Sequence, residues 1–112
     1  MKVGIIGFGV VGKKRYTSIL ENTSYTVTAI SENNSLARND IPETIEIFED
    51  YQLLIDSAEI DIVFISLPNK FAADATTLSL QKGLHVFCEK PPAKTLAELN
   101  KVKAVSDLFP NL

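Results

Sequence analysis

MKVGIIGFGVVGKKRYTSILENTSYTVTAISE, residues 1–32, is the stretch whose reading decides the fold. Lys2 to Ile6 is a short apolar run rich in β-branched side chains, too short for a helix, and reads as a buried parallel strand. It stops at glycine. Gly7-Phe8-Gly9-Val10-Val11-Gly12 fits Gly-x-Gly-x-x-Gly, and from Val10 onward the apolar spacing turns helical, with Val11, Tyr16, Ile19 and Leu20 expected on or near one face. A second strand from Tyr25 to Ser31 closes the unit. Glu32 lies just past it, 32 − 12 = 20 residues beyond the last glycine, the offset of an acid that accepts hydrogen bonds from an adenosine ribose. Strand, glycine turn, helix, second strand and acid coincide here, and together they point to a dinucleotide site. Gly7 allows the sharp turn, Gly9 has no side chain to hold a pyrophosphate off the backbone, and Gly12 lets the helix approach the sheet. The unpaired N–H groups at the helix start and the positive end of its dipole would meet the two phosphates.

The remaining sequence repeats the alternation of strand and helix. Asn33 to Asp40 is mostly polar, and Ile45 and Ile47 mark a brief third strand ending near Phe48. Glu49 to Leu54 opens a short helix with acids in its first turn. Ile60 to Ser66 is a strand expected to be covered on both faces. Leu67-Pro68-Asn69 breaks it, and Asn69 is positioned to cap a helix from Lys70 to about Lys82, with Phe71, Ala72, Ala75, Leu78 and Ser79 on its packing side and Gly83 at its end. His85 to Glu89 makes a fifth strand, Lys90-Pro91-Pro92 an extended loop, and Thr95 to Leu108 a last helix with Leu96, Leu99, Val102 and Val105 at core spacing. The whole is an α/β domain over residues 1–112, a doubly wound parallel sheet whose ligand would bind at the carboxyl ends of the strands. Phe109-Pro110-Asn111-Leu112 reads as the approach to a sixth strand, so the expectation is an amino-terminal piece of a longer polypeptide, truncated before that strand.

Composition narrows the function classes. Of 112 residues, 46% are hydrophobic and 22% charged, ordinary for a globular protein, and a net charge of −3 argues against a footprint for nucleic acid or anionic membrane. No apolar run approaches the ~20 residues of a membrane span, and MKVGIIG lacks the features of a signal peptide. With one cysteine, Cys88, no internal disulfide is possible, and a cytoplasmic setting is expected. Cys88 reads as a small hydrophobe within a strand, and His85 as structural: the two point to opposite faces and Glu89 lies too far along to share a metal. Lys13, Lys14 and Arg15 read as a solvated helix face, with proximity to phosphate as the alternative.

At Glu89-Lys90-Pro91 the sequence resembles the cofactor-binding domain of the glucose–fructose oxidoreductase, inositol dehydrogenase and rhizopine-catabolism family, Gfo/Idh/MocA. The matching residues are the glycine motif, Ser31-Glu32, Ile65-Ser66-Leu67-Pro68-Asn69, the run Lys82-Gly83-Leu84-His85-Val86-Phe87-Cys88-Glu89-Lys90-Pro91, and Thr95-Leu96-Ala97-Glu98. They cover essentially the whole chain in the family's order. The glycine motif is common to many families, whereas Gly-x-His-Val-x-x-Glu-Lys-Pro is far more specific. The resemblance implies a Rossmann fold and an oxidoreductase moving hydride between nicotinamide and a hydroxyl-bearing carbon, often of a sugar or cyclitol, with the full-length protein a homo-oligomer. It places Lys90 near nicotinamide and substrate hydroxyl as the catalytic group. Chemistry supports that place: an ammonium beside the reacting oxygen stabilises developing alkoxide charge, and a residue before proline is held extended.

The candidate cofactor-binding residues are therefore Gly7, Phe8, Gly9, Val10, Val11, Gly12, Glu32, Leu67, Pro68, Asn69, Glu89 and Lys90. Glu32 favours NAD over NADP because a carboxylate repels a 2′-phosphate, with NADP left open by the nearby cations. No metal is called for. The family often has histidine where Ala72 stands, and its second catalytic group and most of its substrate pocket lie in a carboxyl-terminal domain absent from this sequence, so these residues are expected to bind cofactor without turnover. The alternative function is a non-catalytic nucleotide-sensing module that regulates a partner. A methyltransferase is a weaker third reading, since the glycine spacing suits a pyrophosphate better.

Overall fold

The structure, a computed structural model, describes all 112 residues. In chain order the elements are β1 (Lys2–Ile6), α1 (Val10–Leu20), β2 (Thr26–Ser31), α2 (Ser35–Arg38), β3 (Glu46–Phe48), α3 (Tyr51–Ser57), β4 (Ile62–Ile65), α4 (Asn69–Gln81), β5 (His85–Cys88) and α5 (Leu96–Asp107). The five strands form one parallel sheet in the order β3-β2-β1-β4-β5. Chain order reverses direction between β1 and β4, so a crevice opens past the carboxyl ends of those two strands.

Two hydrophobic layers sandwich the sheet. Val3, Ile5, Phe8, Ile19, Val27, Ile30, Ile41 and Ile45 pack on the α1 side. Ile6, Ala29, Leu54, Ile55, Val63, Ile65, Ala75 and Leu84 pack on the α3 and α4 side. Alternation along β1 supplies Val3 and Ile5 to one layer and Ile6 to the other. In β2 the alternation is broken: the register with β1 shifts between Val3 and Gly4, passing Thr28 over. Val27 and Ala29 consequently serve opposite layers although they stand two residues apart.

Hydrogen bonds prolong the ladder just past the strand ends and bring four turns level with one another. The N–H groups of Gly7, Glu32, Ser66 and Glu89 donate to Ser31, Phe48, Ile6 and Ile65 at 2.8 to 3.0 Å. Gly7 leaves the strand with φ +88°, a conformation that side chains rarely adopt. Gly12, buried in α1, lies against it so closely that a Cβ would stand 2.0 Å from the Gly7 carbonyl oxygen.

Several expectations need correction. The polar stretch after Glu32 contains a helical turn, α2, because the Asn34 side chain accepts from the N–H groups of Leu36 and Ala37. Asp50, not Glu49, opens α3, accepting from Leu53 N–H at 2.8 Å. Asn69 does not cap α4. It is the first helical residue, and Phe71 N–H closes the opening turn on the Pro68 carbonyl at 3.0 Å instead. Ala72, Ala75 and Ser79 are buried as expected, but Phe71 is 42% exposed at the carboxyl rim of the sheet. On α1 only Gly12 and Ile19 are buried, while Val11 and Leu20 face outward. The apolar positions of α5 reach mainly α4: Val102 and Val105 are half-buried, none is fully buried, and Leu96 is 72% exposed. β5 is an edge strand with Phe87 exposed on its α1 face.

Gly12→Ala drives a methyl group into a backbone oxygen that cannot turn aside. It is expected to lower unfolding stability by about 2 kcal/mol or more, measured by urea denaturation.

Candidate nucleotide cleft at the carboxyl end of the sheet

A cleft of about 420 Å³ opens where the carboxyl ends of β1, β2 and β4 meet, a size common for small-molecule sites. Gly7 and Gly9 form one wall, Ser31, Glu32 and Asn33 the β2 side, and Glu49, Asp50 and Tyr51 the β3–α3 side. Ser66, Leu67, Pro68 and Phe71 close it from β4 and α4.

The glycine loop presents its backbone to this space. α1 has Gly9 as its N-cap with no side-chain hydrogen bond, so the N–H groups of its first turn have no local acceptor. A Cβ on Gly9 would meet nothing within 4 Å. The loop therefore offers donors, the positive end of the helix dipole and open room at one point, which is the fit a diphosphate requires. The Ser66 hydroxyl adds an independent sign of fit: its oxygen is buried at the cleft without a hydrogen-bond partner.

Glu32 does more than mark the end of β2. One carboxylate oxygen accepts from Phe8 N–H at 2.8 Å and the other from Asn34 N–H at 2.9 Å. The acid thus ties the glycine loop to the turn after β2, and each oxygen keeps a second lone pair for a ribose hydroxyl. Phe8 itself is only 2% exposed, so its ring belongs to the core and its N–H to Glu32. Tyr51, lining the cleft, is held by its hydroxyl, which donates to Asp74 at 2.6 Å. Burial, then the hydrogen bond to Asp74 and the charges of Asp74 and Asp50, push the Tyr51 phenol up to about 12.

Of the residues singled out from sequence, the cleft brings together Gly7, Gly9, Glu32, Leu67 and Pro68. Gly12 is behind the loop as packing, Val10 is 73% exposed and Val11 42% exposed beside it, and Asn69 stands on the first turn of α4. Glu89 and Lys90 follow β5, one strand farther along, with a cis peptide bond between Lys90 and Pro91. Lys90 is exposed, whereas Glu89 is half-buried and paired with Arg15. Sequence reasoning missed Asn33, Tyr51, Ser66 and Phe71. Tyr51 and Phe71 supply flat apolar surface of the kind a base stacks on. The only signal for them was position, just after strands three and four.

The three cations of α1 divide between solvent and ion pairs. Lys13 pairs with Asp40, Arg15 pairs with Glu89, and only Lys14 is left to solvent. Burial pushes the Cys88 thiol up, which keeps it protonated. No three His, Cys, Asp or Glu side chains converge where they could hold a metal ion, and no helix is long and apolar enough to cross a membrane.

Comparison with known proteins agrees with the geometry. Residues 1–107 match the family described as oxidoreductases with an NAD-binding Rossmann fold, Gfo/Idh/MocA. The chain is 32% identical over 101 residues to a D-glucoside 3-dehydrogenase of Escherichia coli K12, covering 85% of this chain and 28% of that protein. It superposes with a TM-score of 0.91 and 29% identity on scyllo-inositol dehydrogenase from Lactobacillus casei, solved with NAD(H) and scyllo-inositol, covering all of this chain and 34% of that one. A Synechocystis biliverdin reductase, solved with biliverdin and NADP+, gives a TM-score of 0.91 at 26% identity, covering 99% of this chain and 36% of that one. The chain thus spans about a third of the length of these relatives.

Glu32→Ala removes the acceptor of a buried N–H. It is expected to cost about 1 kcal/mol or more in chemical denaturation without nucleotide, of which Glu32→Gln restores only part. The single amide oxygen of Gln can accept from one of the two N–H groups, and its NH2 cannot accept from the other. Tyr51 gives a pH signature. Its folded value of about 12 lies above that of an unfolded tyrosine near 10, so the stability it contributes is complete below about pH 10 and is lost as pH rises toward 12. A melting series across that window should show a decline that Tyr51→Phe makes shallower.

Proposed function

The chain belongs to the Gfo/Idh/MocA oxidoreductase family as its NAD-binding Rossmann domain, and from that premise we propose that the protein transfers hydride between nicotinamide and a hydroxyl-bearing carbon of a sugar, sugar derivative or cyclitol. The observation that carries this reading is the glycine loop, where an uncapped helix start, the open side of Gly9 and the braced carboxylate of Glu32 face one cleft. When bound, the nicotinamide ring supplies the hydride acceptor or donor.

The chain's own residues divide the work. The first-turn N–H groups of α1, at Val10, Val11 and Gly12, hold the diphosphate. Glu32 accepts the ribose hydroxyls while remaining bonded to Phe8 and Asn34, and selects NAD over NADP by repelling a 2′-phosphate. Leu67, Pro68 and Asn69 line the path toward nicotinamide, with Tyr51 and Phe71 beside the base. Lys90 is the candidate catalytic residue: its ammonium lies on the loop where the family resemblance puts the reacting oxygen, to stabilise negative charge developing there. Glu89 orients that loop.

The substrate pocket and second catalytic group belong, on this reading, to a further domain of the full protein, which assembles as a homo-oligomer in the cytoplasm. The share of the relatives that this chain spans supports the further domain, and the free thiol of Cys88 supports the compartment. Nothing in the site favours a sensing module.

Calorimetric titration of the chain with NADH, NAD+ and NADPH tests the site. NADH is expected to bind more tightly than NADPH. Gly9→Val is expected to weaken NADH at least about tenfold, some 1.4 kcal/mol, without lowering the melting temperature, because its side chain enters open space. Equal binding by the variant would sink the proposal.

A further inference from the structure

Arg15 has no part in the roles assigned so far, yet it is held from two directions. Its Nε donates to a carboxylate oxygen of Glu89, and its guanidinium carbon lies 5.4 Å from the centroid of the Phe87 ring. Phe87 is stacked in turn on Phe64, with centroids 5.1 Å apart and planes at 27°. Phe87 and Glu89 stand two residues apart at the end of β5 and so share the α1 face, while Val86 and Cys88 pack into the opposite layer. A single α1 side chain therefore spans the last exposed ring of the strand and the acid of Glu89-Lys90-Pro91.

A stabilising ion pair does not by itself account for this arrangement. The Arg15 and Glu89 side chains are half-buried, 36% and 20% exposed, and any cation reaching Glu89 would form such a pair. Geometry is the better account. Arginine's planar fork fixes a carboxylate in direction as well as distance, and the ring beneath fixes the fork. The hydrogen bond to Glu89 raises the Arg15 pKa further, so the charge persists at every working pH. With Glu89 committed to α1, its carboxylate is kept from the neighbouring Lys90, which joins no ion pair.

We propose that Arg15 is a positioning residue: it anchors Glu89, and so sets the Glu89–Pro91 loop at the nicotinamide half of a bound dinucleotide relative to the helix that grips the diphosphate. This rests on the reading of the cleft as a nicotinamide dinucleotide site. In such a sheet the ligand straddles the switch point. The adenosine half falls on the side of Glu32, Asn33 and Tyr51, and the nicotinamide half on the side of β4 and β5. Arg15 touches only the second side.

The test uses two ligands that differ in nicotinamide alone, NADH and ADP-ribose, titrated calorimetrically into the chain and into Arg15→Met, Arg15→Lys and Glu89→Gln. Arg15→Met is expected to weaken NADH about two- to fivefold while leaving ADP-ribose unchanged. Arg15→Lys keeps the charge without the fork and recovers part of the loss. Glu89→Gln reproduces the Arg15→Met pattern, and the double change adds nothing further. If Arg15→Met does not fold, Glu89→Gln, which preserves size, gives the same comparison. NADH affinity unmoved, or both ligands weakened alike, overturns the proposal, because a general packing role spares neither ligand. Failure of the unaltered chain to bind either ligand overturns the cleft reading itself, and this inference with it.

Discussion

The contact between Gly12 and the Gly7 carbonyl is the constraint from which the site follows. No side chain fits between them, since even a methyl group would stand 2.0 Å from that oxygen. The first turn of α1 is thereby pressed onto the end of β1, the strand at which the sheet order reverses. Its N–H groups end up at the mouth of the crevice. Any larger residue at position 12 would lift the helix, and the donors would lose their aim before the sheet lost its register.

Charge follows backbone in this arrangement. Three cations stand in sequence just after the glycine motif, yet Lys13 and Arg15 are drawn sideways to Asp40 and Glu89, from opposite flanks of α1. The point where an anion would sit is left to oriented N–H groups, which lose little by facing a ligand because their positions are already fixed. The same two ion pairs tether α1 to the turn after α2 and to the end of β5. Glu32 adds a third tether through Phe8 N–H. The loop that must hold a diphosphate is thus braced by groups that do not themselves occupy the space.

Local chemistry was legible in the sequence where a backbone demand left few residue choices. The turn at Gly7, the close approach at Gly12, the open side of Gly9 and the place of an acid at position 32 beside the cleft all read from spacing, and so did the five strands in chain order. What failed to read depended on which neighbour a side chain meets. Phe71 fits helical core spacing, but the first turn of α4 overhangs the sheet end, so the ring faces the cleft. The register shift beside Thr28 moved Ala29 to the other layer, and no pattern of apolar letters announces a bulge. α5 has the spacing of a buried helix, yet it packs mainly on α4 and none of its residues is fully buried, because periodicity shows that a face exists and not how much covers it. Pairing partners 27 and 74 residues away decided the fate of Lys13 and Arg15, beyond the reach of a local reading.

The preference for NAD proposed above would come down to a balance of fixed charges. The adenosine side of the cleft carries Glu32, Glu49 and Asp50. The cation on that side, Arg38, donates to the Asn33 carbonyl at 3.3 Å and lies 3.7 Å from the exposed Glu49. A 2′-phosphate brought beside Glu32 would meet this negative charge. Two unit charges 4 Å apart repel by about 1 kcal/mol in bulk water and about 4 kcal/mol at the dielectric of a protein surface. Glu32 cannot swing away to relieve this without breaking its bonds to Phe8 and Asn34. On the proposed reading, selectivity would be built from the same two hydrogen bonds that hold the glycine loop, and relaxing one would loosen the other.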